Sequence, residues 1–288
     1  HYNQDSLREK MSIDTDYGDL SGNFVDRTKK ALGNYSNGKI TNLRGDFVGN
    51  RGGIDNDGLI ESIIGDFIRN SSSSYGGAIS NSGTIGSIAG DFIGNSASSY
   101  GGAISNSGTI DSITGDFIGN SASSVGGAIY NEGNIDSITG DFIGNSSSGG
   151  AIYNRGNIDS ITGDFIGNSS SSSSSSHSYY FSYSGGAISN HGLIESIVGS
   201  FVNNSSSNSY GGGIYLRSGG IINYLKADFI GNSAEGGGAI SIGDYASSVN
   251  PTIGNIVNSN FIDNHARGNG GAIFTANDLT ITADAGTS

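Results

Sequence analysis

Carboxylates recur through this sequence at a fixed offset from phenylalanine. Asp46, Asp66, Asp91, Asp116, Asp141, Asp164 and Asp228 each stand immediately before a Phe, and a second acidic row, Glu61, Asp111, Asp136, Asp159 and Glu195, precedes it by 5 residues. Such groups can act as general acids and bases or as oxygen ligands for a hard cation. Catalysis, however, needs unlike groups in defined roles at one place, and these rows are monotonous. The basic residues beyond position 51, namely Arg69, Arg155, Arg217, Lys226 and Arg267, read as dispersed, with no shared repeat position. His1, His177, His191 and His265 show no metal-ligand spacing and read as ordinary surface residues. Carboxylates stacked at strand spacing repel one another, so they must be solvated, hydrogen-bonded to neighbouring Ser or Thr, or bridged by cations. Calcium is the one cofactor this suggests. Asp116 and Asp141, central in the most regular block, are its candidate ligands, although the glycine-aspartate nonapeptide of calcium-binding β-rolls is missing. An ice-binding face of Thr114, Thr139 and Thr162 is interrupted by Ala89 and Val198.

The rows imply elements that repeat. Gly-Gly-Ala-Ile occurs at Gly76–Ile79, Gly101–Ile104, Gly126–Ile129, Gly149–Ile152, Gly185–Ile188, Gly237–Ile240 and Gly270–Ile273, with variants at Gly52–Ile54 and Gly211–Ile214. Phe-x-x-Asn falls between copies, from Phe47/Asn50 to Phe261/Asn264, and Phe24 begins a degenerate copy with Arg27 in the Asn position. Segments of the form Ile-Asp-Ser-Ile, as at Ile110–Ile113, lie between the two motifs. Each repeat therefore offers three short, β-branched apolar segments separated by Gly, Ser or Asn, which suits strands rather than helices. A unit of roughly 25 residues with three strands matches one rung of a solenoid. The expected fold is all-β, a single right-handed parallel β-helix of about ten rungs, with Phe and Ile stacked in internal ladders.

The alternation of Gly-Gly-Ala-Ile with Phe-x-x-Asn resembles the repeats of the chlamydial polymorphic outer-membrane proteins and related autotransporter passengers. The resemblance covers roughly residues 45–275, in nine paired occurrences of the two motifs. It implies a right-handed β-helix displayed on a cell surface.

Composition narrows the partners. The chain has 13 Lys+Arg against 26 Asp+Glu, a net charge of −13, which argues against nucleic acid or an anionic membrane surface. Residues 1–51 hold 8 of the basic and 7 of the acidic residues, so that end is electrostatically distinct. The absence of cysteine excludes disulfides and thiolate metal sites. No apolar run reaches the roughly 20 residues of a spanning helix, so no direct membrane insertion is expected. A chain opening at His1 rather than Met reads as a processed or excised product, which a removed secretion signal would explain.

Residues 1–20 lack the repeat and read as an N-terminal cap or docking arm, and 21–288 as the solenoid, with insertions near 169–184 and 243–252. The first insertion carries Tyr179, Tyr180, Phe181 and Tyr183, either on a flexible serine loop or as a contact surface. The residue after each repeat Phe is β-branched in every copy, Ile93, Ile118 and Ile143 among them. Strand alternation places it opposite the inward Phe and would expose an apolar stripe, unless a bend turns it inward. These features point to a non-enzymatic extracellular structural or adhesive protein that self-assembles end to end into a fibre. Its other partners would be a host or cell-surface glycan or protein. The alternative is a carbohydrate-active enzyme of the polysaccharide-lyase kind, since pectate-lyase-like β-helices cleave acidic polysaccharides with carboxylates, Arg or Lys, and often calcium.

Overall fold

A computed structural model of the chain describes residues 16–171, 184–243 and 250–275. Among these the regular structure is entirely β, in three parallel sheets of 18, 10 and 8 strands. We call these the long sheet, the asparagine sheet and the serine sheet. One rung shows the path. Ile104–Asn106 belongs to the asparagine sheet, Thr109–Thr114 and Phe117–Ile118 to the long sheet, and Ser121–Ala122 to the serine sheet, before the chain rises to Ile129–Asn131. The result is a parallel β-helix, and β-crossover-β connections of this kind favour a right-handed coil.

Register is in phase with the repeat. Ile104 pairs with Ile79 and Ile129, Phe117 with Phe92 and Phe142, and Ser121 with Ser96 and Ser146. Like side chains therefore stack at the strand spacing of about 4.8 Å. The phenylalanine rings from Phe24 to Phe261 form one column, with centroids 4.5–5.0 Å apart and planes within 11°. Phe47 to Phe229 are fully buried with Ile60, Ile85, Ile110, Ile135 and Ile158 in one continuous core. A flat ring stacked on its copy leaves no gap between rungs.

Two kinds of glycine shape the turns. Gly101 takes φ +65°, a left-handed conformation that costs glycine nothing, whereas a β-carbon on Gly102 would collide with the Gly127 carbonyl of the next rung. The bend before each Phe-x-x-Asn asparagine is also left-handed, usually glycine as at Gly119 (φ +61°), but Asp26, Arg69, Asn203 and Asp263 occupy it with φ between 49° and 54°. The strand over the second acidic row departs from simple alternation. Ile110 and Ile113 both point inward, and the register passes over Asp111, which bulges out. The carbonyl of Asp111 accepts the Ser137 hydroxyl of the next rung at 3.3 Å, and those of Asp136 and Asp159 accept Ser160 and Ser196 likewise. The serine of Ile-x-Ser-Ile thus serves the backbone of its neighbour.

Strand Asp19–Ser21 pairs in parallel with Asn42–Arg44, and Asp16 bridges to Lys39, so solenoid pairing reaches back into residues 16–20. The rest of the expected N-terminal cap or docking arm, residues 1–15, lies outside the described residues.

Candidate functional site

The first acidic row is held by backbone. The amide N–H groups of Asp66, Asp91, Asp116, Asp141 and Asp164 donate to Oδ1 of the aspartate one rung before, at 2.8–3.0 Å. Asn23 Oδ1 accepts the Asp46 amide in the same way, and Asp228 accepts the Asn260 amide. Of the three alternatives for the row, a Ser or Thr partner is found only at Asp164, whose carboxylate receives the Ser200 hydroxyl at 2.8 Å. A side-chain acceptor is required along the row because each residue's own amide, lying just past a glycine bend, points at the preceding rung. Asp116 and Asp141 belong to this bonded row, each half-buried with Oδ1 engaged. No group of three His, Cys, Asp or Glu able to hold a metal occurs among the described residues. In the second row, Asp111, Asp136 and Asp159 are exposed, while Glu61 pairs with Lys39 at 2.9 Å and Glu195 accepts Asn223.

Two asparagine ladders run inside the turns. In the Phe-x-x-Asn ladder, from Asn50 to Asn264, each Nδ2 donates to Oδ1 of the next asparagine at 2.8–3.0 Å and to the Phe carbonyl of the preceding rung, as Asn120 does to Asn145 and Phe92. A second ladder joins Asn34, Asn56, Asn81, Asn106, Asn131, Asn154 and Asn190 at 2.7–2.9 Å. Buried amides that bond rung to rung specify register; within the second ladder the Oδ1 of Asn34, at its N-terminal end, has no partner. Asn34, Asn70, Asn145, Asn168 and Asn204 open Asn-x-Ser sequences but are fully buried, which leaves only the exposed Asn203 accessible for modification among the described sequons.

The apolar stripe faces outward. None of Val25, Val48, Ile68, Ile93, Ile118, Ile143, Ile166, Val202, Ile230 and Ile262 is buried; Val25 is 48% and Ile262 47% exposed, and Ile93, Ile118 and Ile143 are half-buried by their stacked neighbours. No bend turns them into the core. They form a ridge about 43 Å long, nine steps of strand spacing. Tyr179, Tyr180, Phe181 and Tyr183 lie outside the described residues.

The reading of Arg155 and Arg217 as dispersed, without a shared repeat position, and of His191 as an ordinary surface residue is overturned. Asn154 pairs with Asn190 and Asn190 with Leu216, so Arg155, His191 and Arg217 follow in one column on consecutive rungs, above Glu132. Arg155 Nη1 lies 3.4 Å from Glu132 Oε1. Beside them Tyr75, Tyr100, Tyr130 and Tyr153 stack at 4.8–5.8 Å, and the His191 ring closes the stack 4.7 Å from Tyr153. His191 is largely buried and its Nε2 has no partner; burial, with Arg217 and Arg155 nearby, pushes its pKa down to about 3. Burial also raises the Tyr130 hydroxyl pKa, with Glu132 adding to it. The signal was present in the sequence: each residue follows an Ile-x-Asn or Ile-x-Leu triplet, but uneven repeat lengths hide the alignment.

The long repeated ladders, outward ridge and locally varied turns define a β-solenoid repeat protein. Residues 90–107, 115–132 and 258–276 match the Chlamydia polymorphic membrane protein repeat, each match running from a Phe-x-x-Asn to the following Gly-Gly-Ala-Ile. No curated protein and no solved structure is significantly similar to the chain. No helix among the described residues is long and apolar enough to cross a membrane.

Proposed function

We propose that the chain is a non-enzymatic rod displayed at the cell surface, with a structural or adhesive role, and that copies associate into fibres. One observation carries this reading: the polar groups recurring on every rung are engaged in internal ladders, while the recurring apolar group outside the core is the Ile/Val ridge. A continuous exposed apolar face of this length is rarely left bare in a soluble protein, and a second copy offers an identical ridge to cover it. Replacing Ile93, Ile118 and Ile143 by Thr keeps the β-branch and removes apolar contact. We expect the triple variant to retain its melting temperature within a few degrees and to lose lateral association in sedimentation and negative-stain microscopy. Unchanged association would remove the ridge from the interface.

A second reading, a carbohydrate-active enzyme, is favoured by the column Glu132, Arg155, His191 and Arg217, where a carboxylate, two guanidiniums and an imidazole align on consecutive rungs. Depolymerisation of an acidic polysaccharide, lost in Glu132→Gln, would support it.

A further inference from the structure

The serine sheet does not begin with the solenoid. In the second rung the chain passes from Asn50 through Arg51 and Gly53 straight to the asparagine sheet, whereas the third rung inserts an arm over residues 71–78, and later rungs do the same. Strand Ser71–Ser72 is therefore an edge, with no strand on its N-terminal side among the described residues. The step encloses a groove of about 620 Å³, walled at the short rungs by Thr28 and Arg51 and floored by the arms of three successive rungs.

The groove's chemistry is unlike the rest of the rod. Ser73, Ser98 and Ser123 are exposed in line, one per rung. Their hydroxyls make no hydrogen bond among the described residues, in contrast to the serines of the long sheet, which serve backbone carbonyls. The amides of Ser98 and Ser123 donate to the carbonyls of Ser72 and Ala97. The equivalent Ser73 amide faces the short rung, where no strand stands to receive it. Arg51 is exposed at that end, within residues 1–51, which hold 8 basic and 7 acidic residues of a chain whose net charge is −13. Large apolar or aromatic side chains, the usual anchors for a peptide or a hydrophobic ligand, are absent from its lining.

From these observations we propose that the groove binds an anionic saccharide chain. A hydroxyl both donates and accepts, and so matches sugar hydroxyls. Its repetition at the rung spacing of about 4.8 Å is close to the advance per ring of an extended polysaccharide. A guanidinium forms paired hydrogen bonds with a carboxylate or sulfate, so Arg51 receives the charged substituent while the Ser73 amide and the serine row align the rings. The assignment deepens the adhesive reading by naming a ligand class, and it is independent of the ridge.

The test is calorimetric titration of the full chain with a heparin-derived oligosaccharide, an oligogalacturonate and a neutral dextran oligosaccharide. Binding of one or both acidic sugars, weakened at least tenfold in Arg51→Gln and by added salt, is the expected result, and the preferred sugar tells sulfate from carboxylate. Ser98→Tyr, which fills the groove, should abolish binding with an unchanged circular dichroism spectrum. Equal binding of dextran, no binding of any sugar, or full affinity in both variants would overturn the proposal. Sedimentation of the same samples reports assembly separately, so loss of sugar binding with intact fibres discards the groove and leaves the rod.

Discussion

Asp116 and His191 show how far a residue's type is from its role. The carboxylate of Asp116 accepts the Asp141 amide, and Asn23 fills the same role at the start of the row, so the position demands an acceptor rather than a charge. Asp116→Asn should leave stability within about 0.5 kcal/mol of the parent, as for a surface change that removes no contact. Asp116→Ala should cost about 1–2 kcal/mol, because it strands an amide that was hydrogen-bonded to a charged group. Thermal melts with calcium and with chelator complete the test. A calcium-dependent shift in the parent that vanishes in Asp116→Asn would establish the row as a cation site. His191 behaves oppositely. Its folded pKa of about 3 lies below the ordinary 6.5, so between these values the unfolded chain binds a proton that the folded chain refuses, and stability falls as pH falls. At pH 5 this amounts to at most about 2 kcal/mol. In His191→Phe, which keeps the ring against Tyr153, urea midpoints should lose that part of their slope between pH 7 and pH 4. An unchanged slope would mean that the imidazole titrates freely.

At the scale of the element, the phenylalanine column and the turn glycines were legible in the sequence, because identical rungs stack identical residues and spacing alone reports which ones. Phe117 illustrates it. The ring is fully buried, 4.7 Å from both Phe92 and Phe142, and Phe117→Ala should cost roughly 3–5 kcal/mol in denaturant unfolding. A variant with parental stability would deny the column its place in the core. What spacing could not report was anything confined to one or a few rungs. Alignment of Arg155 with Arg217 requires knowing that the long insertion between their repeats leaves the strand register intact, as the pairing of Ile152 with Ile188 shows. The serine groove was hidden for a related reason: it arises from a missing arm at residues 51–53, and an absence in one repeat leaves no motif to find. The outward direction of Ile93 followed from strand alternation, yet Ile110 and Ile113 break that alternation because Asp111 bulges out between them.

For the whole molecule, the hydrogen bonds between rungs lie along the rod's own axis, and this sets its mechanics. Bending or compressing such a rod loads every rung at once, but tension applied between its ends meets only the bonds of the outermost rung, which open in sequence. The asparagine-sheet ladder runs as far as Asn190 and gives way to Leu216 and Ile242 on the following rungs, so peeling should begin at the C-terminal side. Each rung freed would release on the order of 80 Å of extended chain in place of about 5 Å of rod. Single-molecule pulling should record a low, repeating plateau with steps of that size, not one large rupture. A rod anchored at one end and attached at the other would then yield under load by paying out length, and rewind when the load falls, acting as a tether that absorbs shock.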